Sequence, residues 1–266
     1  MNILITGASS GIGRQLAIEY AKTGANLFLC ARNMETLQET KQICKEFLSS
    51  ANIFLKELDV RDKEACTQWI ASIEANYEID LIIANAGISA GTSNGLESDK
   101  QIRVIFDTNL YGVLNIINPA IEHMKQRRRG QIAIISSLAG FRGLPSSPAY
   151  SASKAAVKVY GEALRGNLGE FGIKVNVICP GYIKTPMTAV NDFPMPFLMA
   201  PEKCAQKIIN GLQKNKSRIA FPFGLYFVIW LATLLPPSLT DKIFEKLPKK
   251  KAMLHKKGSD PFHEGV

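Results

Sequence analysis

Tyr150 and Lys154, in the run Tyr150-Ser151-Ala152-Ser153-Lys154, are the residues whose types and spacing best suit chemistry. An i, i+4 pair on a helix lies on one face. A phenol titrates near about 10 and moves few protons at neutral pH, but a nearby ammonium favours the phenolate. Such a tyrosine can give a proton to a carbonyl oxygen, or take one from an alcohol, as hydride moves at the carbon. The same string also describes an ordinary surface helix, so its context counts. Upstream, Ile134-Ile135-Ser136-Ser137-Leu138 ends an apolar run in two hydroxyls. Either can donate to a substrate oxygen or simply make a turn. Asn109, in Asp107-Thr108-Asn109-Leu110, is a polar residue inside a helical pattern, where it can kink the helix or hold a water.

A second constellation opens the chain. Thr6-Gly7-Ala8-Ser9-Ser10-Gly11-Ile12-Gly13 lies between the first apolar run and the first helical pattern. Gly7, Gly11 and Gly13 permit a tight turn and close backbone approach, and Ser9, Ser10 and Ile12 stand where a helix N-terminus offers N–H groups to a pyrophosphate. The second apolar run ends Leu29-Cys30-Ala31-Arg32-Asn33, with no carboxylate to hold ribose hydroxyls. Arg32 can pair with a 2′-phosphate, so NADPH is expected over NADH; Arg14 adds charge nearby, and either arginine also fits plain surface. Asp59 and Val60 follow the third run, where Asp59 can meet an adenine amino group or cap the next helix. Asn85-Ala86-Gly87 follows the fourth, as a ligand-side segment or a turn.

These residues need a particular scaffold. Runs such as Leu81-Ile82-Ile83-Ala84 are apolar on both faces, which belongs to a parallel sheet covered by helices. The rhythm predicts strands over 2–6, 26–31, 53–58, 80–84, 131–136, 174–179 and 218–221, with helices over 11–23, 34–48, 63–76, 99–127 (in two segments), 149–171 and 202–212. The expected fold is α/β, a Rossmann-type doubly wound parallel sheet of about seven strands. The segment 181–200 reads as irregular. Residues 1–222 are expected to form the nucleotide-binding and catalytic domain, and 223–266 an apolar helix and lysine-rich tail.

The 266 residues suit one α/β domain. Five scattered cysteines without a CxxC pair and three histidines predict no metal site, and free thiols suit a reducing, cytoplasmic setting. The N-terminus enters a strand at once, which reads as no signal peptide. Much of the net charge of +9 lies in the last 25 residues, with Lys242, Lys246, Lys249, Lys250, Lys251, Lys256 and Lys257. That is a solvated tail or a site for anionic membrane, and not a nucleic-acid surface. No charge falls between Ile219 and Thr240, yet Pro222, Gly224, Pro236 and Pro237 leave a helix of about 12 residues, short for a bilayer span. Core packing, subunit contact and peripheral membrane contact through 223–257 are its readings, with a true span as the least favoured.

TGASSGIG, Asn85-Ala86-Gly87, the helical Asn109, the Ser136-Ser137 strand end, YSASK and Pro180-Gly181 together resemble the short-chain dehydrogenase/reductase family, in its single-domain members of about 250 residues. The likeness covers about Asn2–Pro222. It implies Tyr150 as general acid/base, Lys154 as the residue lowering its pKa and binding ribose, and Ser137 (thirteen residues before the tyrosine, preferred to Ser136) as carbonyl anchor. Asn109 supports a relay water, and Pro180, Gly181, Ile183 and Thr185 touch the nicotinamide and its phosphate. The resemblance also implies a homodimer or homotetramer. The following loop, with Met187, Phe193, Met195, Phe197, Leu198 and Met199, reads equally as a greasy substrate pocket or as core. The function expected is NADPH-dependent interconversion of a lipophilic ketone or aldehyde and its alcohol. A 3-oxoacyl reductase of lipid metabolism and a membrane-docked, NADPH-binding regulator are the alternatives.

Overall fold

In the computed structural model, which describes residues 1–48, 52–246, 250 and 252, seven parallel strands form one sheet in the order β3-β2-β1-β4-β5-β6-β7. The strands are β1 Asn2–Thr6, β2 Asn26–Ala31, β3 Ile53–Glu57, β4 Leu81–Ala84, β5 Gly130–Ile135, β6 Ile173–Pro180 and β7 Arg218–Phe221. The helices are α1 Gly11–Ala21, α2 Met34–Phe47, α3 Lys63–Glu74, α4 Asp99–Phe106, α5 Gly112–Arg127, α6 Pro148–Gly169, α7 Pro186–Ala189, α8 Pro201–Gln213, α9 Phe223–Thr233 and α10 Pro237–Phe244. This is the doubly wound α/β fold that the apolar runs predict.

Side-chain alternation divides the core in two. Ile3 and Ile5 of β1 pack with Leu16 of α1 and Ile208 of α8 on one face. Leu4, between them, points to the other, where Ile70 of α3, Ile116 of α5 and Val157 of α6 cover it. All eight are buried, and each such side chain contributes about 1.5–3 kcal/mol of burial. The strand order reverses between β1 and β4, which pair in parallel through Ile3–Leu81 and Ile5–Ile83. The connections leaving these two strands therefore run in opposite directions along the sheet, and the crevice at their carboxyl ends is where open α/β sheets take ligands.

Three local features add detail to the expected pattern. The stretch 99–127 is broken by a π-helical turn, Asp107–Tyr111, that carries Asn109 into the interior. The segment 181–200 contains α7, a single turn opened by Thr185 and Thr188, whose hydroxyls and backbone cap each other. Beyond β7 the chain makes two short helices rather than one. Among the described residues no helix is long and apolar enough to cross a membrane. In α9 no residue is fully buried, although Leu225, Tyr226 and Ile229 pack on Leu138, Val177 and Cys179. Arg142 anchors α10, pairing with Asp241 at 2.7 Å and stacking over Phe244 at 5.0 Å. Of the expected lysine tail, Lys249, Lys251, Lys256 and Lys257 lie outside the described residues.

Candidate active site

The crevice is a cavity of about 1060 Å³, and the two constellations seen in the sequence line it together. Its cofactor side is built at the tip of β1. Gly7 adopts φ +63°, and a Cβ on it would stand 2.9 Å from the Ala86 Cα. A Cβ on Gly13 would overlap the Gly7 carbonyl. Only glycine lets the loop, α1 and the Asn85 segment meet so closely. Asn85 closes the joint, donating from Nδ2 to the Thr6 and Gly7 carbonyls at 3.0 and 3.1 Å. Ser10, the N-cap of α1, makes no side-chain cap, whereas Asn33 caps α2 and Asp62 caps α3. The first turn of α1 thus has N–H groups without a capping side chain where Ser9, Ser10, Gly11 and Ile12 face the cavity. A cradle that admits no Cβ and ends in an uncapped helix fits a dinucleotide pyrophosphate.

Arg32, Asn85, Ala86, Gly87, Pro180, Gly181, Ile183 and Thr185 also line the cavity, as the sequence suggests. Four cofactor-side candidates do not. Gly13 packs behind the loop. Asn33 spends its side chain on the Thr36 N–H at 2.9 Å. Val60 is core, wedged against Gly112. Asp59 is held by Arg61, whose Nε donates to both carboxylate oxygens at 3.0 and 2.9 Å. Burial pushes the Asp59 carboxyl up, but the hydrogen bonds and charge of Arg61, with the charge of Arg32, hold it below its usual range. Arg14 is likewise engaged, by the Ser9 and Thr36 carbonyls and by Glu39.

On the catalytic side, Ser137, Tyr150 and Lys154 share one wall. The two serines differ sharply. Ser136 is buried and donates to the Lys154 carbonyl at 2.7 Å, tying β5 to α6. Ser137 turns to the cavity, accepts from the Ala139 N–H at 3.1 Å and donates to the Pro180 carbonyl at 3.5 Å. Burial raises the Tyr150 pKa, and the Ser137 contact opposes the rise. Lys154 sits 5.9 Å from the centroid of the Tyr150 ring and donates to the Ile135 carbonyl at 2.9 Å. Desolvation brings it down to about 8.

Asn109 does not face the cavity. It is fully buried, and its amide accepts from Ile88 N–H at 2.8 Å while donating to the Ile88 carbonyl at 2.9 Å and Ser153 Oγ at 3.0 Å. Ser153 passes the contact on to the Tyr150 carbonyl at 2.8 Å. Of the greasy loop, Met187 lines the cavity, Met199 is buried with Ile183, and Phe197 and Leu198 are exposed. Ser89, Gln101 and Lys250, which no motif or spacing marks as site residues, complete the far wall. Lys250 in particular looks like any other lysine of the tail.

The model of the short chain dehydrogenase family matches residues 1–193. An uncharacterised oxidoreductase of Myxococcus xanthus is 36% identical over 245 residues, covering 92% of this chain and 96% of its own. Among solved structures, an NAD-bound 3-oxoacyl-[acyl-carrier protein] reductase of Brucella melitensis superposes with TM-score 0.72 at 30% identity, over 85% of this chain and 90% of that one. Actinorhodin polyketide ketoreductase with NADPH gives TM-score 0.76 at 27% identity, over 85% and 97%. A β1 loop shaped for pyrophosphate, a Ser-Tyr-Lys wall facing it and these likenesses agree: the chain belongs to the short-chain dehydrogenase/reductase family and is an NAD(P)-dependent oxidoreductase.

Proposed function

We propose that this enzyme uses NADPH to reduce a lipophilic ketone or aldehyde, and runs in reverse as an alcohol dehydrogenase. The observation that carries the reading is the single cavity in which Ser137, Tyr150 and Lys154 face the Gly7–Ile12 loop and Arg32. Gly7, Ser9, Ser10, Gly11 and Ile12 hold the pyrophosphate, Arg32 pairs with the 2′-phosphate, and Asn85, Ala86, Gly87, Pro180, Gly181, Ile183 and Thr185 frame the nicotinamide half. Bound there, the nicotinamide supplies the hydride to the carbonyl carbon, or accepts it in the reverse direction.

The chain's own groups manage the oxygen. Ser137 donates to it and steadies its developing charge. Tyr150 gives it the proton; burial keeps the phenol protonated at neutral pH, the form an acid for reduction requires. Lys154 braces the tyrosine and meets the ribose hydroxyls. Asn109 acts by position, fixing the Ile88 peptide behind Gly87 and, through Ser153, the turn that carries Tyr150.

The likeness to 3-oxoacyl and polyketide reductases favours acyl ketones as a second substrate class. Homodimers or homotetramers are the expected assembly. The exposed apolar side chains of α9 and α10 favour peripheral contact with a cytoplasmic membrane face. The deciding experiment is NADPH consumption across lipophilic ketones, aldehydes and 3-oxoacyl esters, with Tyr150→Phe as control. Turnover that disappears in the variant supports the reading. Tight NADPH binding without turnover favours the regulator instead.

A further inference from the structure

We infer that Lys250 is a substrate-binding residue that seats an oxyanion, a carboxylate or a phosphate ester, on the carbonyl substrate beside Tyr150. The inference rests on the reductase reading and narrows its substrate to an amphiphile carrying a negative group near the reacting carbonyl.

Lys250 comes from the far end of the chain, yet it lines the same cavity as Ser137, Tyr150 and Lys154. Its Nζ donates to Ser89 Oγ at 2.8 Å and lies 6.0 Å from the centroid of the Tyr150 ring. The seat is built into the segment after β4. Gly91 packs so closely under the Lys250 backbone that a Cβ there would overlap the Lys250 carbonyl. The receiving strand of chain is itself fixed, since buried Gln101 donates to the Gly91 carbonyl at 2.8 Å. Lys250 is thus held by both its side chain and its backbone.

Its charge lacks a match. Among the described residues no carboxylate lies within 4.0 Å of Nζ. Glu97, between two cavity-lining residues, is engaged by Gln101 Nε2 at 3.2 Å and the Ala149 N–H at 2.8 Å. Desolvation draws the Lys250 pKa down to about 8, so the ammonium sits in its place at a cost. A hydroxyl is weak compensation for a half-buried ammonium, and an incoming oxyanion is strong compensation. Around it, Ile88, Ala90, Leu96, Met187 and Val190 offer apolar wall to the rest of the molecule. A greasy chain with a negative group close to its carbonyl satisfies both features.

The test uses the full chain loaded with NADPH and titrates octanoate, octyl phosphate and octanamide by calorimetry, so it does not depend on turnover. The wild type should bind at least one of the anions roughly tenfold more tightly than the neutral amide, as a charge-assisted hydrogen bond implies. That preference should vanish in Lys250→Gln and persist in Lys250→Arg. Preference for octanoate alone identifies a carboxylate, and for octyl phosphate alone a phosphate. Gly91→Ala, whose Cβ would overlap the Lys250 carbonyl and stand 2.7 Å from the Lys250 Cβ, leaves the ammonium chemically intact but displaces the residue, and should also lose the preference. Equal binding of anion and amide by the wild type overturns the inference, as does a preference that survives in Lys250→Gln or Gly91→Ala. Unchanged NADPH affinity shows that each variant is folded. The reductase reading stands or falls separately, on the Tyr150→Phe comparison.

Discussion

The Asn109 side chain grips the Ile88 peptide from both sides, accepting from its N–H at 2.8 Å and donating to its carbonyl at 2.9 Å. With the bond to Ser153 at 3.0 Å, every hydrogen-bonding direction used points at a structural partner. Asn109→Leu would leave the Ile88 N–H and carbonyl without these partners in the interior. Each such loss costs about 1–3 kcal/mol, so denaturant unfolding should show a loss of that order or more. Activity should fall with it, because the Ile88 segment carries Gly87, whose Cβ position lies 3.1 Å from Asn109 Oδ1 and 3.2 Å from Lys154 Nζ. A stable, fully active Asn109→Leu would remove the positioning role.

Ser136 and Ser137 should separate cleanly. Ser137→Ala removes the hydroxyl that faces the cavity, and kcat should drop by about 10²–10³ with stability little changed. Ser136→Ala leaves the Lys154 carbonyl without its 2.7 Å donor and should cost about 1–3 kcal/mol of stability, with kcat affected far less. Paired unfolding and steady-state curves test both; the reverse pattern would reassign the anchor.

What the sequence made legible follows from local rules. Unalternating apolar runs require a covered parallel sheet, and β1 and β4 are such runs. A glycine loop between strand and helix, and a Tyr–Lys pair four apart, carry their geometry with them. The contacts that decide roles are less local. Asp59 looks ready for adenine until Arg61, two residues on, folds back onto it. Arg14 reads as a cofactor charge, but Glu39 and Thr36 of α2 claim it. The π turn at Asp107–Tyr111 answers to partners twenty-one and forty-four residues away, Ile88 and Ser153, which helical periodicity does not encode. Lys250 shows the limit most plainly: among clustered lysines, only its meeting with Ser89 and Gly91 sets it apart.

Arg32 lines the cavity at the end of β2, close enough to Asp59 to lower its pKa. Arg32→Asp places a carboxylate where ribose hydroxyls are held in NAD-preferring folds. NADPH affinity should fall by roughly tenfold or more while NADH affinity holds or improves. Dissociation constants for both cofactors give the answer, and an unaltered ratio would release Arg32 from the 2′-phosphate.

Lys154 should leave a signature in stability against pH. Burial lowers it from 10.5 to about 8, so between those values the unfolded chain binds more protons than the fold. Stability from this group therefore rises with pH across that window, by at most about 3 kcal/mol. Buried Cys66, Cys179 and Cys204, each raised to about 12, act in the opposite sense above 9. The difference between wild type and Lys154→Met isolates the lysine: the wild type should gain on the variant from pH 8 upward. Parallel curves would mean that Lys154 titrates normally.

The face formed by α9 and α10 makes the strongest surface prediction. Nine of the nineteen exposed large hydrophobic side chains among the described residues fall between Phe223 and Ile243, including Trp230, Leu231 and Leu234. The opposite side of α9, through Leu225, Tyr226 and Ile229, is already packed on the body, so outward substitutions leave that packing intact. Lys242 and Lys246 flank the face and suit it to anionic headgroups. Each leucine it buries in lipid is worth about 1.5–3 kcal/mol, enough for two to change partitioning tenfold or more. Flotation with vesicles of phosphatidylglycerol should carry the wild type, and Leu231→Glu with Leu234→Glu should abolish it while unfolding stability stays the same. If the wild type ignores vesicles but sediments as a dimer that the same pair of substitutions dissociates, the face is a contact between subunits, and the lysines are only its solvated border.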